Sequence, residues 1–540
     1  MNTPVTPDSV TAPPRLPSRR AALGLAAAGG LALSSVGQAA TALAAPPAIP
    51  MAPVMPEWIS DLAGGLDLKS TKYWHLARRV APAPTKAVAS EIKKVGYTRW
   101  IEKQLKPTKI SDTKANGLIK KYLSYATMTG LQVSKASHGK GWKAGKALSI
   151  SRTVRQVFTK RYLYESMVDT MADQLYVSAE GKAADLVAWY DWAVLRKYAL
   201  GKFSSMLYAS MRHPAMLVYL DNNLNSKDNP NENLGRELLE LHTVGVGNYD
   251  ETDVRQSALI LTGHSYSWEK RAYRYEPRDH YTGPVKVMGF THPNANAADG
   301  PAVLKAYLSY LAHHKGTAQR IAERLAIRYV SDNPPAALVD RLAKTYLGND
   351  TSLVAVMRAL LFSPEFTDSV GEKWKRPQET MATMIKARKP STLKPAAKQS
   401  GDIWGITGTV QWLLYLENHQ PRMWPVVNGY PDQATDWAAT QAMLGHFYTA
   451  NARVNWGNDK EFPSKSWASA LSIKKGMTAA AAASRITTDL TGFTWDAKHL
   501  GLVTARIKGS GPATLTSDQI KYNLGKTIHF VLCSPYFKIR

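Results

Sequence analysis

The chain has 540 residues, with 68 lysines and arginines against 42 aspartates and glutamates, a net charge of +26 and 44% hydrophobic residues. That hydrophobic share excludes a disordered chain, and the length can bury a full core in roughly two or three domains. Cys533 is the only cysteine, which excludes an intramolecular disulfide and a multi-cysteine zinc site and leaves mainly His, Asp and Glu for any metal.

The first element is an export signal. Ser18-Arg19-Arg20 precedes an uncharged Ala/Gly/Leu-rich run, 21–36, and a small-residue site, Ala42-Leu43-Ala44. This pattern predicts a twin-arginine signal peptide over 1–44, with cleavage before Ala45. The run is shorter than the roughly 20 residues needed to cross a bilayer, so release is expected rather than anchoring. The expected location is secreted or extracytoplasmic, and the translocation machinery of that route is the first expected partner. Cleavage removes Arg15, Arg19, Arg20 and Asp8, a net of two positive charges out of +26, so the mature chain stays strongly basic. Its cations are scattered rather than striped, which argues against nucleic acid. An anionic envelope polymer or lipid head group fits better, through an attraction that salt weakens, and an ordinary solvated basic surface is the alternative reading.

Residues 45–65 are Pro/Ala-rich and read as a linker, and 66–540 as a helical domain. Apolar spacing of three and four predicts helices over 85–104, 112–126, 151–177, 183–211 and 214–219. Residues 266–290 alternate apolar and polar, with Tyr273, Tyr275, Val285 and Val287 about a Pro/Gly turn, and predict one small β-hairpin. Helices resume over 301–313, 317–330, 335–345 and 352–362. A Lys/Pro/Ala-rich loop is expected over 386–400, and then helices over 401–416, 434–450, 477–490 and 517–532. The fold class is therefore mainly α, a large multi-helix domain with a small inserted hairpin.

The best specified stretch lies between Asp228 and Gly263. Asn229 can cap a helix over 230–243, with Pro230 at its first position and Glu232 completing a capping box. Leu234, Leu238 and Leu241 form its apolar face, and Glu232, Arg236 and Glu240 a ladder at four-residue spacing. Asp250 and Asp253 repeat the cap for a second helix ending before Gly263.

The run Asn229-Pro230-Asn231-Glu232-Asn233-Leu234-Gly235-Arg236-Glu237-Leu238-Leu239-Glu240-Leu241-His242, continued by Gly245 to Tyr249 and Asp253-Val254-Arg255, resembles the signature of the bacterial DUF1800 family. His75 to Arg79, Arg212 to Met216, Arg376-Pro377, Gln420-Pro421, Asn428 to Pro431 and Trp437 are similar to its other motifs. The resemblance implies a largely helical, commonly exported protein and no settled activity. Where many relatives carry a Trp-His-Asn-His-like run, this chain reads Ala172-Asp173-Gln174-Leu175.

Glu237, Glu240 and His242, with His280 approaching from the hairpin, are the candidate catalytic residues. Such groups can bind a divalent cation or form an acid/base pair. Helix geometry points Glu240 and His242 away from one another, so they cannot chelate one ion. The same charges can equally serve as structural ties between helices. Trp404, Trp424 and Trp437 are candidate glycan platforms, with Asn428 and Asp432 as hydroxyl partners, in competition with ordinary core packing. Neither a cofactor nor a metal is specified. Two functions follow: an envelope hydrolase using the Glu/His residues, or a non-catalytic protein that binds or assembles an anionic or glycan envelope polymer or another exported protein. The enzyme requires Glu237, Glu240 or His280 to line one pocket, whereas separate pairing between helices favours binding.

Overall fold

Glycine and short polar breaks cut the helical pattern into more pieces than its periodicity predicts. The computed structural model describes residues 66, 68–394, 408–455 and 461–540, so the expected signal over 1–44, the whole expected linker over 45–65 and Trp404 lie outside the described residues. The expected helix over 85–104 is two, Lys86–Val95 and Tyr97–Gln104, hinged at Gly96, whose φ of 94° only glycine adopts readily. The 151–177 pattern likewise resolves into Trp142–Phe158 and Tyr162–Gln174. The helices Pro214–Tyr219 and Ser517–Leu532 fall where expected, whereas Pro377–Ala387 and Ala497–Lys508 had no counterpart in the pattern.

The β structure is two hairpins rather than one. β1 (His264–Ser267) pairs antiparallel with β2 (Ala272–Tyr275), and β3 (Val285–Val287) with β4 (Phe290–His292). Tyr275 faces His264 and Val285 faces His292, so the residues expected to share one ladder belong to different sheets. The short Pro277–Asp279 turn lies between the two pairs and separates them.

Leucine, valine and alanine faces of the helices form one large apolar cluster running from Trp74 to Phe366. A second cluster gathers the C-terminal helices, and a third packs Trp142–Phe158 against Pro377–Ala387 and Gly408–Leu416. Buried arginines and carboxylates tie the helices of these clusters together. Among the described residues, no helix is long and apolar enough to cross a membrane.

Candidate functional site

The signature helix starts later than its cap pattern predicts. Asn229 turns back on Ser226, its N–H donating to the Ser226 carbonyl at 3.1 Å, instead of capping. The buried Asn225 side chain captures the loop by accepting from the Asn231 N–H at 2.9 Å, and Asn231 in turn accepts from the Asn233 N–H at 3.0 Å. Helix therefore runs only over Asn233–Glu237. It then widens into a π turn, Leu238–His242, closed by the Thr243 hydroxyl donating to the Leu238 carbonyl at 2.6 Å. Leu234 and Leu238 are buried as expected, but the wider turn buries Leu239 in place of Leu241, which is left half-exposed. The second capping box is as expected: Asp250 accepts from the Asp253 N–H at 2.9 Å and the Asp253 side chain reciprocates at 3.1 Å.

The candidate catalytic residues fall into separate environments, except that Glu237 and Glu240 are near enough for their charges to interact. Arg236 meets Glu232 at 3.3 Å and both oxygens of Glu251 at 2.7 Å, so the ladder turns to the next helix and leaves Glu240 out. Glu240 instead accepts from the Tyr249 hydroxyl at 2.9 Å. Glu237 is half-buried, and burial followed by the charge of Glu240 raises its carboxyl. His242 is buried with Nδ1 3.1 Å from the Gln174 carbonyl, and burial pulls its imidazole down to about 4. His280 sits elsewhere, with Nδ1 2.8 Å from the Thr262 carbonyl, Nε2 3.0 Å from Asn294 Oδ1, and its ring edge-on to His264. The two histidines share no partner.

Gln174 and Asp173 stand in the run that departs from the resemblance, and both act as ties. Gln174 donates to the carbonyls of Leu241 and His242 at 2.9 and 3.1 Å, latching the π turn. Asp173 accepts from Arg376 at 2.7 Å and from the Tyr430 N–H at 3.2 Å. Arg376 also reaches Asp432 at 3.0 Å, and Arg328 joins Asp432 to Glu379 at 3.0 and 2.8 Å. Arg540 closes the network on the carbonyls of Arg328 and Arg79 at 2.7 and 2.8 Å, and Lys373 pairs with Asp332. Burial alone would raise the Asp432 carboxyl, but Arg328, Arg376, Lys373 and Arg540 outweigh it and hold it well below the usual range. Asp173, Arg328, Arg376, Glu379, His419 and Tyr430 line a cavity of about 20 Å³, room for no more than a water-sized group. Sequence reasoning did not single out this ionic core, because its members come from distant segments with no local periodicity.

The two described glycan candidates, Trp424 and Trp437, both pack on Tyr430. Trp437 is buried, donates to the Pro431 carbonyl at 3.3 Å and lies 4.8 Å from the His419 ring. Trp424 donates to Asn428 at 3.1 Å and covers Tyr430 at 5.0 Å. Asn428 and Asp432, expected to serve sugar hydroxyls, are thus taken by Trp424 and by the two arginines. Cys533 is half-buried and its thiol is pushed up to about 12 by burial, in keeping with packing rather than nucleophilic chemistry. His313 and His314 bond helix ends, to the Ser309 carbonyl at 2.8 Å and from the Gly316 N–H at 3.1 Å.

Among the described residues, two larger grooves open to the surface. One of about 580 Å³ lies beside the Gly245 loop and is walled by Val246, Lys315, Arg320, Glu323, Asp340 and Lys344. The other, about 860 Å³, lies beside β3 and β4. Neither is lined by Glu237, Glu240, His242 or His280. Among the described residues, no group of three or more His, Cys, Asp or Glu is placed to hold a metal ion.

A family model described as a protein of unknown function matches residues 75–539. The chain belongs to the DUF1800 family. Neither a curated protein nor a solved structure matches it. The DUF1800 match runs from His75, on the helix Lys72–Val80, to Ile539, beside Arg540 of the ionic core. Several of the segments that carry the resemblance meet at this core: Arg79, Arg376 and Tyr430 all bond within it.

Proposed function

We propose that this protein is exported by the twin-arginine route and binds an anionic polymer or surface of the cell envelope without catalysing a reaction on it. The observation that carries the reading is the separate hydrogen bonding of Glu240, His242 and His280, each with its own partner and none lining either of the two large grooves among the described residues. A hydrolase of the expected kind needs these groups to converge on a substrate. The net charge of +26 supports the partner's sign, and the paired-arginine segment supports the location.

The test is made on the protein recovered from its producing cells. It should lie outside the cytoplasm, begin at Ala45, and be released from the envelope by salt. It should also bind immobilised polyphosphate with an affinity that falls steeply as salt rises. Full-length chain confined to the cytosol would overturn the location. A hydrolytic activity abolished by Glu237→Gln would overturn the non-catalytic reading.

A further inference from the structure

Four neighbouring helices near the C-terminus turn an apolar face outward instead of inward. On Thr440–Asn455, Leu444 is 61% exposed and Phe447, one turn on, is 40% exposed. Gly408–Leu416 presents Tyr415, and Ser517–Leu532 presents Tyr522 and Phe530. These faces are continuous. Trp412 meets Tyr448 edge-on at 5.6 Å, His529 Nε2 lies 3.3 Å from the Phe447 carbonyl, and the Arg506 guanidinium covers the Phe530 ring at 5.4 Å. Arg506 belongs to Ala497–Lys508, which adds Leu502 at 53% exposure.

Charge on this face is predominantly positive. Exposed Arg506, Lys508, Lys521 and Lys526 surround the rings, while the four helices together contain a single acidic residue, Asp518. We propose that this face docks the protein on the surface of an anionic lipid bilayer. The inference rests on the anion-binding reading above and names its surface and its partner. Aliphatic side chains interleaved with tyrosine, tryptophan and cations match the interfacial zone, where rings take up the boundary and cations meet phosphate. A soluble polyanion offers no apolar phase to receive Leu444, Phe447 and Phe530. A second copy of the chain meeting this face across a two-fold axis would press its lysines against their own counterparts.

The experiment compares full-length variants by sedimentation with vesicles of phosphatidylcholine, with and without phosphatidylglycerol, so that the N-terminal segment contributes equally to all. The wild type should bind only the anionic vesicles. Leu444→Glu/Phe447→Glu should lose that binding while keeping its melting temperature, and Val246→Glu, an exposed apolar site on a different loop, should not. Lys521→Gln/Lys526→Gln should weaken binding roughly twenty-five-fold, about fivefold for each lysine near an anionic surface. Equal binding by the patch variants overturns the inference, as does a concentration-dependent dimer that the same substitutions abolish. Retention by polyphosphate without vesicle binding overturns the bilayer and leaves the anion-binding reading standing; failure to bind either overturns both.

Discussion

Asp173 and Arg376 are 203 positions apart in the chain and bond at 2.7 Å inside it, where each side chain is about 5% exposed. At such a site the identity of one atom matters. Removing the carboxylate leaves a buried guanidinium with only Asp432 to balance it, and also orphans the Tyr430 N–H. Asp173→Ala should therefore cost about 3 kcal/mol in urea unfolding. Asp173→Asn, which keeps an acceptor for Tyr430, should cost less. Arg236 contrasts with this pair, since its partner Glu251 is mostly exposed. Arg236→Ala should lower the melting temperature only slightly, because solvent screens the pair it breaks.

At the scale of elements, the signature helix and the next approach one another closely. A Cβ on Gly235 would lie 2.9 Å from the Ala258 nitrogen and 3.2 Å from the Val254 carbonyl, both backbone atoms that cannot swing away. Gly235→Ala should push the two helices apart and cost about 1–3 kcal/mol, read as a lowered melting temperature. Elements of this kind were partly legible in the sequence. Helix type followed from apolar spacing, and the Asp250 box was read correctly because its two partners are three residues apart. The Asn229 cap failed for the opposite reason. Asn225 and Ser226 lie upstream of the pattern, and their hydrogen bonds claim the loop before the cap can form. The π turn was equally hidden, because it depends on Gln174 reaching its last carbonyls from another helix. Glu240 was placed in a ladder with Arg236, but the ladder's second rung is Glu251 on the following helix. The ionic core left no local trace, since Asp173, Arg328, Glu379 and Asp432 become partners only after the chain has folded.

At the scale of the molecule, those buried charges and the buried imidazoles set how the fold answers to acid. Burial lowers His75, His213 and His264 to about 3 and His242 to about 4, against 6.5 for an exposed histidine. The unfolded chain takes up these protons first. Stability from the neutral imidazoles is thus fully present above pH 6.5 and is lost as pH falls from there toward their folded values, by roughly 1–2 kcal/mol each by about pH 5. The paired carboxylates Asp432, Glu379, Glu165 and Asp191 are held below their ordinary values, so their contribution survives to lower pH and disappears only below the usual carboxylate range. Acid unfolding should accordingly begin near pH 6, before these paired carboxylates protonate, and steepen near pH 4. Urea midpoints measured across that interval check the order of events. His213→Asn makes the check specific: asparagine can still cap Pro214–Tyr219 where His213 now accepts from the Ala215 N–H at 3.2 Å, yet it removes one titrating ring. The variant should lose less stability than the wild type between about pH 7 and pH 5, and a wild-type midpoint that stays level over that range would contradict the assignment of early acid sensitivity to the histidines.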